Sequence, residues 1–270
     1  MASASPNREE LIKRYDKCPV DCTLHYSANI TSLGDYFNVL HFLLEKENQF
    51  WFRGHSKLTY RLLPSALRFD NRPDRDKALR LVEDMKRFLE MKLAKPPASD
   101  DILGWVQVAQ HYGLPTRLLD WTQNAAVALF FACCSNGKED GLVIAINPIQ
   151  LNQSFDSKKP RVFTYLEDKK SIDSYLELKG NSSSRGKLNI AINPTWNTER
   201  IALQNGVFTL HGNKSFEINR EQAGSLVGIP ILKELKADLL NELERVGVGE
   251  MFIFPEPEHV CAHLRRASGL

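Results

Sequence analysis

The longest apolar run in the chain, Ala125 to Cys134 (AAVALFFACC), has no polar interruption. A helix that is apolar on every side is a buried one, so this run predicts a central core helix. Thr122 or Asn124 is placed to cap it. Immediately upstream, Gln110 to Arg117 (QHYGLPTR) is polar and broken by Gly113 and Pro115, which predicts a loop continuing through Leu118–Thr122 to the helix start. That loop carries Gln110, His111, Thr116, Arg117, Asp120 and Trp121. Side chains on loops held by a rigid scaffold are well placed for function. The same groups would equally serve to satisfy the loop's own backbone.

The remaining pattern alternates helical and extended segments. Asp35–Glu47 has Phe37, Leu40, Phe42, Leu43 and Leu44 at helical spacing. Gln49–Gly54 reads as a short aromatic strand that presents Arg53 at its end, followed by an irregular Leu62–Arg68. Asp76–Lys95 is amphipathic, with Leu79, Val82, Met85, Phe88, Leu89 and Leu93 on one face, and ends at Pro96-Pro97. A helix over Ile102–Gln110, capped by Ser99 or Asp100, delivers Gln110 and His111 to the loop. Gly141–Pro148 is a buried strand; residues 149–187 turn polar and read as an exposed excursion with a short helix at Ile172–Leu178.

Further on, Pro194–Gln204 predicts a short helix capped by Asn197, with Arg200 and Gln204 on one face. Strands are expected at Val207–Leu210, Leu226–Leu232 and Val248–Pro255, with a helix over Lys233–Val246 and a terminal helix up to Arg266. Residues 1–32 read as an irregular lead-in. The expected architecture is α+β: one domain over 33–266, a mixed sheet of short strands around a central buried helix.

Composition narrows the function classes. A net charge of +2 over 270 residues supplies no overall basic field for nucleic acid or anionic membrane, so any such contact must be local. Five cysteines without framework or zinc spacing fit reduced thiols in a cytoplasmic protein, with Cys133-Cys134 acting as small core hydrophobes. No run approaches a membrane span, and MASASPNREE lacks a signal-peptide core. There is no GxGxxG, GxxxxGK[ST], GxSxG or HExxH, and no cluster of metal ligands, so no metal is expected. An arginine beside three aromatics, as Arg53 is, suits bidentate phosphate or carboxylate binding, or a structural ion pair.

Phe52-Arg53-Gly54, Leu63–Arg68 and the block from Gln110 to Thr122 (QHYGLPTRLLDWT) together resemble the FRG-domain family. The blocks Asn197-x-x-Arg200-x-x-x-Gln204-x-Gly206-x-Phe208-Thr209 and Phe254-Pro255 extend the resemblance, which runs from about residue 33 to 265. The family occurs in bacterial and phage-related contexts, which implies a toxin or anti-phage role. A second resemblance is to arginine-type mono-ADP-ribosyltransferases, through Phe52-Arg53-Gly54, Thr116–Thr122 ahead of Ala125–Ala132, and Glu250-Met-Phe-Ile-Phe-Pro. That family's Ser-Thr-Ser triplet is absent, and Val248 stands where it has Glu or Gln.

The second resemblance implies an ADP-ribosyltransferase-like core with NAD as substrate and a macromolecular acceptor: RNA, DNA or protein. It implies Arg53 and Gly54, with Thr116, for NAD binding and Glu250 for catalysis; as polar residues anchored beside apolar elements, Gln110, Arg200 and Gln204 are expected beside the NAD and His111 and Asp120 beside Glu250. A neutralising antitoxin or chaperone would accompany such a toxin. Two alternatives stand beside it: a metal-independent nuclease using His111, and a non-catalytic module binding a nucleotide or peptide.

Overall fold

The computed structural model describes residues 15, 18–24, 30–44, 49–155, 157, 160–176, 188–195, 198–212, 217–224 and 226–269. Its centre is the helix α4 (Ala125–Cys133), where Ala126 to Phe130, Ala132 and Cys133 are all buried. Asn124 is the cap: its Oδ1 accepts from the amides of Ala126 (3.0 Å) and Val127 (3.4 Å). Burying Val127, Leu129 and Phe130 contributes about 1.5–3 kcal/mol each, which holds the helix in place despite its 9 residues. Cys133 is buried as expected, whereas Cys134 ends the helix and is exposed.

Among the described residues, α4 lies on a single seven-stranded mixed sheet. The strands are β1 (Thr23–Leu24), β2 (Trp51–His55), β3 (Leu118–Thr122), β4 (Gly141–Ile146), β5 (Ile190–Ile192), β6 (Gly206–Leu210) and β7 (Leu226–Ile231), in the order β1-β7-β4-β2-β3-β6-β5. β1 runs parallel to β7; the other pairs are antiparallel. β2 pairs with β4 along all 5 residues, and β3 with β6 along all 5. Between these halves only Phe52↔Thr122 is paired. Past that point β2 and β3 part, leaving a split in the middle of the sheet.

Further helices cover the sheet: α1 (Leu33–Leu44), α2 (Arg72–Leu89), α3 (Ile102–His111), α5 (Pro148–Gln153), α6 (Tyr165–Leu176), α7 (Glu199–Leu203), α8 (Arg220–Ala223), α9 (Lys236–Arg245), α10 (Glu250–Ile253) and α11 (Pro257–Ala267). α1, α9 and α10 pack with α4 through Tyr36, Leu40, Leu239, Leu243 and Ile253. No helix among the described residues is long and apolar enough to cross a membrane.

Several expectations are corrected. Leu118–Thr122 is a strand, not loop: Leu118, Leu119 and Trp121 are buried and the whole segment pairs with β6. Val248–Pro255 is not a strand, because Glu250–Ile253 forms the helical turn α10, which seats Ile253 in the α4 core. α2 begins and ends earlier than Asp76–Lys95, since Asn71 caps it by accepting from the Asp74 amide. Phe88 on α2 is 71% exposed, so its apolar face is incompletely covered.

Asp101, not Ser99 or Asp100, caps α3, and Thr198 caps α7. Asn197 lies outside the described residues, as do 45–47 and 177–187 of the predicted α1 tail and polar excursion. The helix expected at Ile172–Leu178 begins at Tyr165. The lead-in contributes β1, and β5 was not anticipated.

Candidate active site

The split between β2 and β3 opens into a cleft of about 260 Å³ lined by Arg53, Gly54, Gln107, Gln110, His111, Asp120, Arg200 and Gln204, with Phe52, Trp121, Phe131 and Phe208 among its apolar walls. Seven of these eight polar or glycine positions were singled out from sequence; Gln107 was not. A second cavity of about 540 Å³ adjoins it, sharing Arg53, Gly54 and Phe131 and adding His55, Tyr60, Arg61 and Arg68. Arg53 thus stands where the two lobes meet.

Arg53 is fixed from two sides. Its Nη1 donates to the Asp120 carbonyl and lies 3.8 Å from Asp120 Oδ2. Its Nε donates to His55 Nε2 at 3.2 Å. Nη2 has no partner among the described residues. His55 is buried, and its pKa is pushed well below the ordinary value by burial first, then by Arg53 and Arg68; the Tyr60 backbone acts the other way. A neutral His55 is what lets Nε2 accept from the guanidinium. Gly54 has a packing reason of its own: a Cβ there would collide with the Ala128 carbonyl and the Ala132 amide of α4.

A hydrogen-bonded relay runs from the motif loop into the cleft. The Thr116 hydroxyl donates to Gln110 Oε1, and Gln110 Nε2 donates to Asp120 Oδ1 at 2.6 Å. Thr116 itself is buried and does not line the cleft; it also accepts from the Leu118 amide at 3.1 Å, tying the relay to β3. Asp120 is left with a side chain that is 64% exposed, free to meet a ligand.

On the far wall, Gln204 Nε2 donates to the Ile253 carbonyl at 2.8 Å, and the Gln204 backbone carbonyl accepts from the Thr122 hydroxyl at 2.5 Å. His111 Nδ1 and Arg200 Nη1 lie 3.9 and 4.0 Å from the same oxygen of Glu256. Both Glu256 carboxylate oxygens are buried without a hydrogen bond, so the Arg200 guanidinium, with the His111 ring beside it, is the nearest compensation. Arg200 stacks over Phe254 at 4.8 Å, which fixes its fork. Burial lowers the His111 pKa; Glu256 raises it and Arg200 lowers it, leaving the imidazole neutral at neutral pH.

Glu250 does not line the cleft. Its carboxylate accepts from Arg266 and lies 3.1 Å from His263 Nδ1, both on α11, and Arg266 holds its carboxyl below the usual range.

Gln107 escaped the sequence reading, and Glu256 was not tied to His111 by it. Gln107 is 1% exposed with both amide atoms unpartnered, and its signal was a lone glutamine within Ile-Leu-Gly-Trp-Val-Gln-Val-Ala. Glu256 follows Phe254-Pro255, and no local pattern marks its proximity to His111.

Residues 48–141 match the family model described as the FRG domain. Over that segment the chain is similar to the FRG domain. The matched span starts just before β2 and ends at the first residue of β4, so it contains Arg53, Gly54, Gln107, Gln110, His111, Thr116 and Asp120. Arg200, Gln204, Glu250 and Glu256 belong to the part of the molecule beyond the matched FRG segment. No curated protein and no solved structure matches the chain.

Proposed function

We propose that the cleft binds NAD and that the protein is a mono-ADP-ribosyltransferase acting on a macromolecule, nucleic acid or protein. The observation that carries this reading is the two-lobed cavity with Arg53 at its junction. A dinucleotide has two bulky ends joined by a pyrophosphate, and the free Nη2 of a fixed guanidinium suits phosphate oxygens. Gln107 fits the same ligand: an unpartnered amide offers one acceptor and two donors, the complement of a carboxamide such as that of nicotinamide.

The chain's residues divide the chemistry. Asp120, oriented by Gln110, stabilises the positive charge that develops on the ribose as nicotinamide leaves with the electron pair of the broken C–N bond. Neutral His111 accepts the proton of the acceptor nucleophile as its bond to the anomeric carbon forms. Glu256 and Arg200 position that imidazole. On this reading Asp120, not Glu250, is the carboxylate of the reaction, since Glu250 is tied to Arg266 and His263. Such an activity in a bacterial cytoplasm is that of a toxin or anti-phage effector, and it calls for a neutralising antitoxin or chaperone.

Calorimetric titration with NAD tests the reading. Arg53→Ala should weaken NAD binding at least roughly tenfold, the scale of one charge-assisted hydrogen bond, and Arg53→Lys should restore little of it. Absence of NAD binding by the wild-type chain at millimolar concentration overturns the proposal. Loss of RNA in the absence of NAD would favour a nuclease built on His111.

A further inference from the structure

The motif block faces two ways. Gln110, His111 and Asp120 line the cleft, but Thr116 and Arg117 line a separate cavity of about 410 Å³ between α2, α3 and α6. Its walls are Leu79 and Val82 of α2, Ile102, Trp105 and Val106 of α3, and Leu176 of α6. They are apolar, in contrast to the polar lining of the cleft.

Arg117 is the unusual member of that lining. It is 9% exposed, and its Nη1 donates to the Tyr175 carbonyl at 2.9 Å. Its Nε is buried without a partner, and among the described residues no carboxylate oxygen comes within the 4.0 Å of an ion pair. Buried arginines are ordinarily paired, because a guanidinium taken out of water needs a counter-charge. With Nη1 committed and Nε sealed beside it, Nη2 remains to donate charge-assisted hydrogen bonds to a carboxylate.

Lys86 adds a second cation to the lining. Its ammonium donates to the Ser99 carbonyl at 2.7 Å and hydroxyl at 3.1 Å and lies over the Trp105 ring at 5.7 Å. Glu83 is the carboxylate on the lining and is solvent-exposed. Apolar walls with a few convergent charged groups are the make-up of a small-molecule pocket.

We propose that this cavity is a second ligand site, distinct from the cleft, that takes a small organic monocarboxylate. The apolar body packs against Trp105, Val82 and Leu79, and the carboxylate pairs with Nη2 of Arg117. The proposal does not depend on the chemistry of the cleft.

The test uses the full chain and ligand-observed NMR with phenylacetate, octanoate and indole-3-acetate, each beside its primary amide. At least one acid should bind saturably and its amide roughly tenfold or more weakly, the scale of losing a charge-assisted hydrogen bond. Val82→Trp, which fills the cavity from α2, should abolish acid binding, whereas Arg53→Ala in the cleft should leave it unchanged. Arg117→Lys should narrow the difference between acid and amide. Should the Arg117 variant fail to fold, the matched pairs and Val82→Trp still decide. The proposal is overturned if none of the three acids binds, if acid and amide bind equally, or if binding survives Val82→Trp but is lost in Arg53→Ala.

Discussion

Gln107 supplies a prediction in which stability and activity move in opposite directions. Both of its amide atoms are buried without a partner, although the residue sits in the middle of α3 and lines the cleft. A buried unsatisfied polar group costs about 1–3 kcal/mol, and Gln107 carries two. Gln107→Met keeps an unbranched side chain of similar length and good helix propensity while removing both orphaned groups. Methionine should therefore stabilise the ligand-free protein by roughly 1–3 kcal/mol, a rise in Tm of roughly 2–4 °C per kcal/mol for a chain of this size. The same change removes the partner proposed for the ligand carboxamide, so NAD affinity should drop roughly tenfold. Urea denaturation of the free protein and calorimetric titration with NAD check the two halves. A variant less stable than wild type by 1 kcal/mol or more would refute the reasoning, because the amide would then be contributing to the free fold. Unchanged NAD affinity would remove Gln107 from the binding site.

Four further outcomes are expected. Glu256→Gln removes the carboxylate that raises the His111 pKa, so the acid limb of kcat/KM should move to lower pH, whereas Arg200→Gln removes a neighbour that lowers it and should move the limb upward. The folded-state pKa of His55 lies well below its ordinary value of 6.5, so the unfolded chain takes up a proton first as the pH falls. Stability should therefore decline below about pH 6.5 until the folded value is reached, and His55→Gln should flatten that part of the pH–stability curve. Gly54→Ala should destabilise by about 1–3 kcal/mol in chemical denaturation, because its Cβ meets α4 backbone that cannot retreat. Glu250→Gln should leave the rate of ADP-ribose transfer unchanged and cost at most about 1 kcal/mol of stability, as expected for partly exposed ion pairs.

What the sequence revealed follows the reach of each signal. The α4 run was legible because ten uninterrupted apolar residues have nowhere to go but a core. Leu118–Thr122 was misread because Asp120 and Thr122 make five residues look like polar loop; only pairing with β6 shows that Asp120 is the outward position of a strand. Met251-Phe-Ile-Phe is too short for its period to distinguish strand from helix, and its packing against α4 decides for helix. The cleft residues of the motif block were readable as polar groups pinned beside apolar elements. Glu256 was not, since it reaches His111 across 145 positions of sequence through the placement of α10 and α11. The split of the sheet at Phe52↔Thr122, which makes the cleft, has no local sequence mark at all.

The central claim is tested most directly by incubating the protein with NAD labelled in its adenylate half, together with RNA or cell lysate, and following both released nicotinamide and label on macromolecules. Wild-type protein should release nicotinamide and transfer label. Asp120→Asn should keep NAD affinity but lower turnover by roughly two orders of magnitude or more, the scale of losing one preorganised electrostatic group. Neither release nor transfer by the wild-type chain, or transfer by Asp120→Asn at the wild-type rate, contradicts the account.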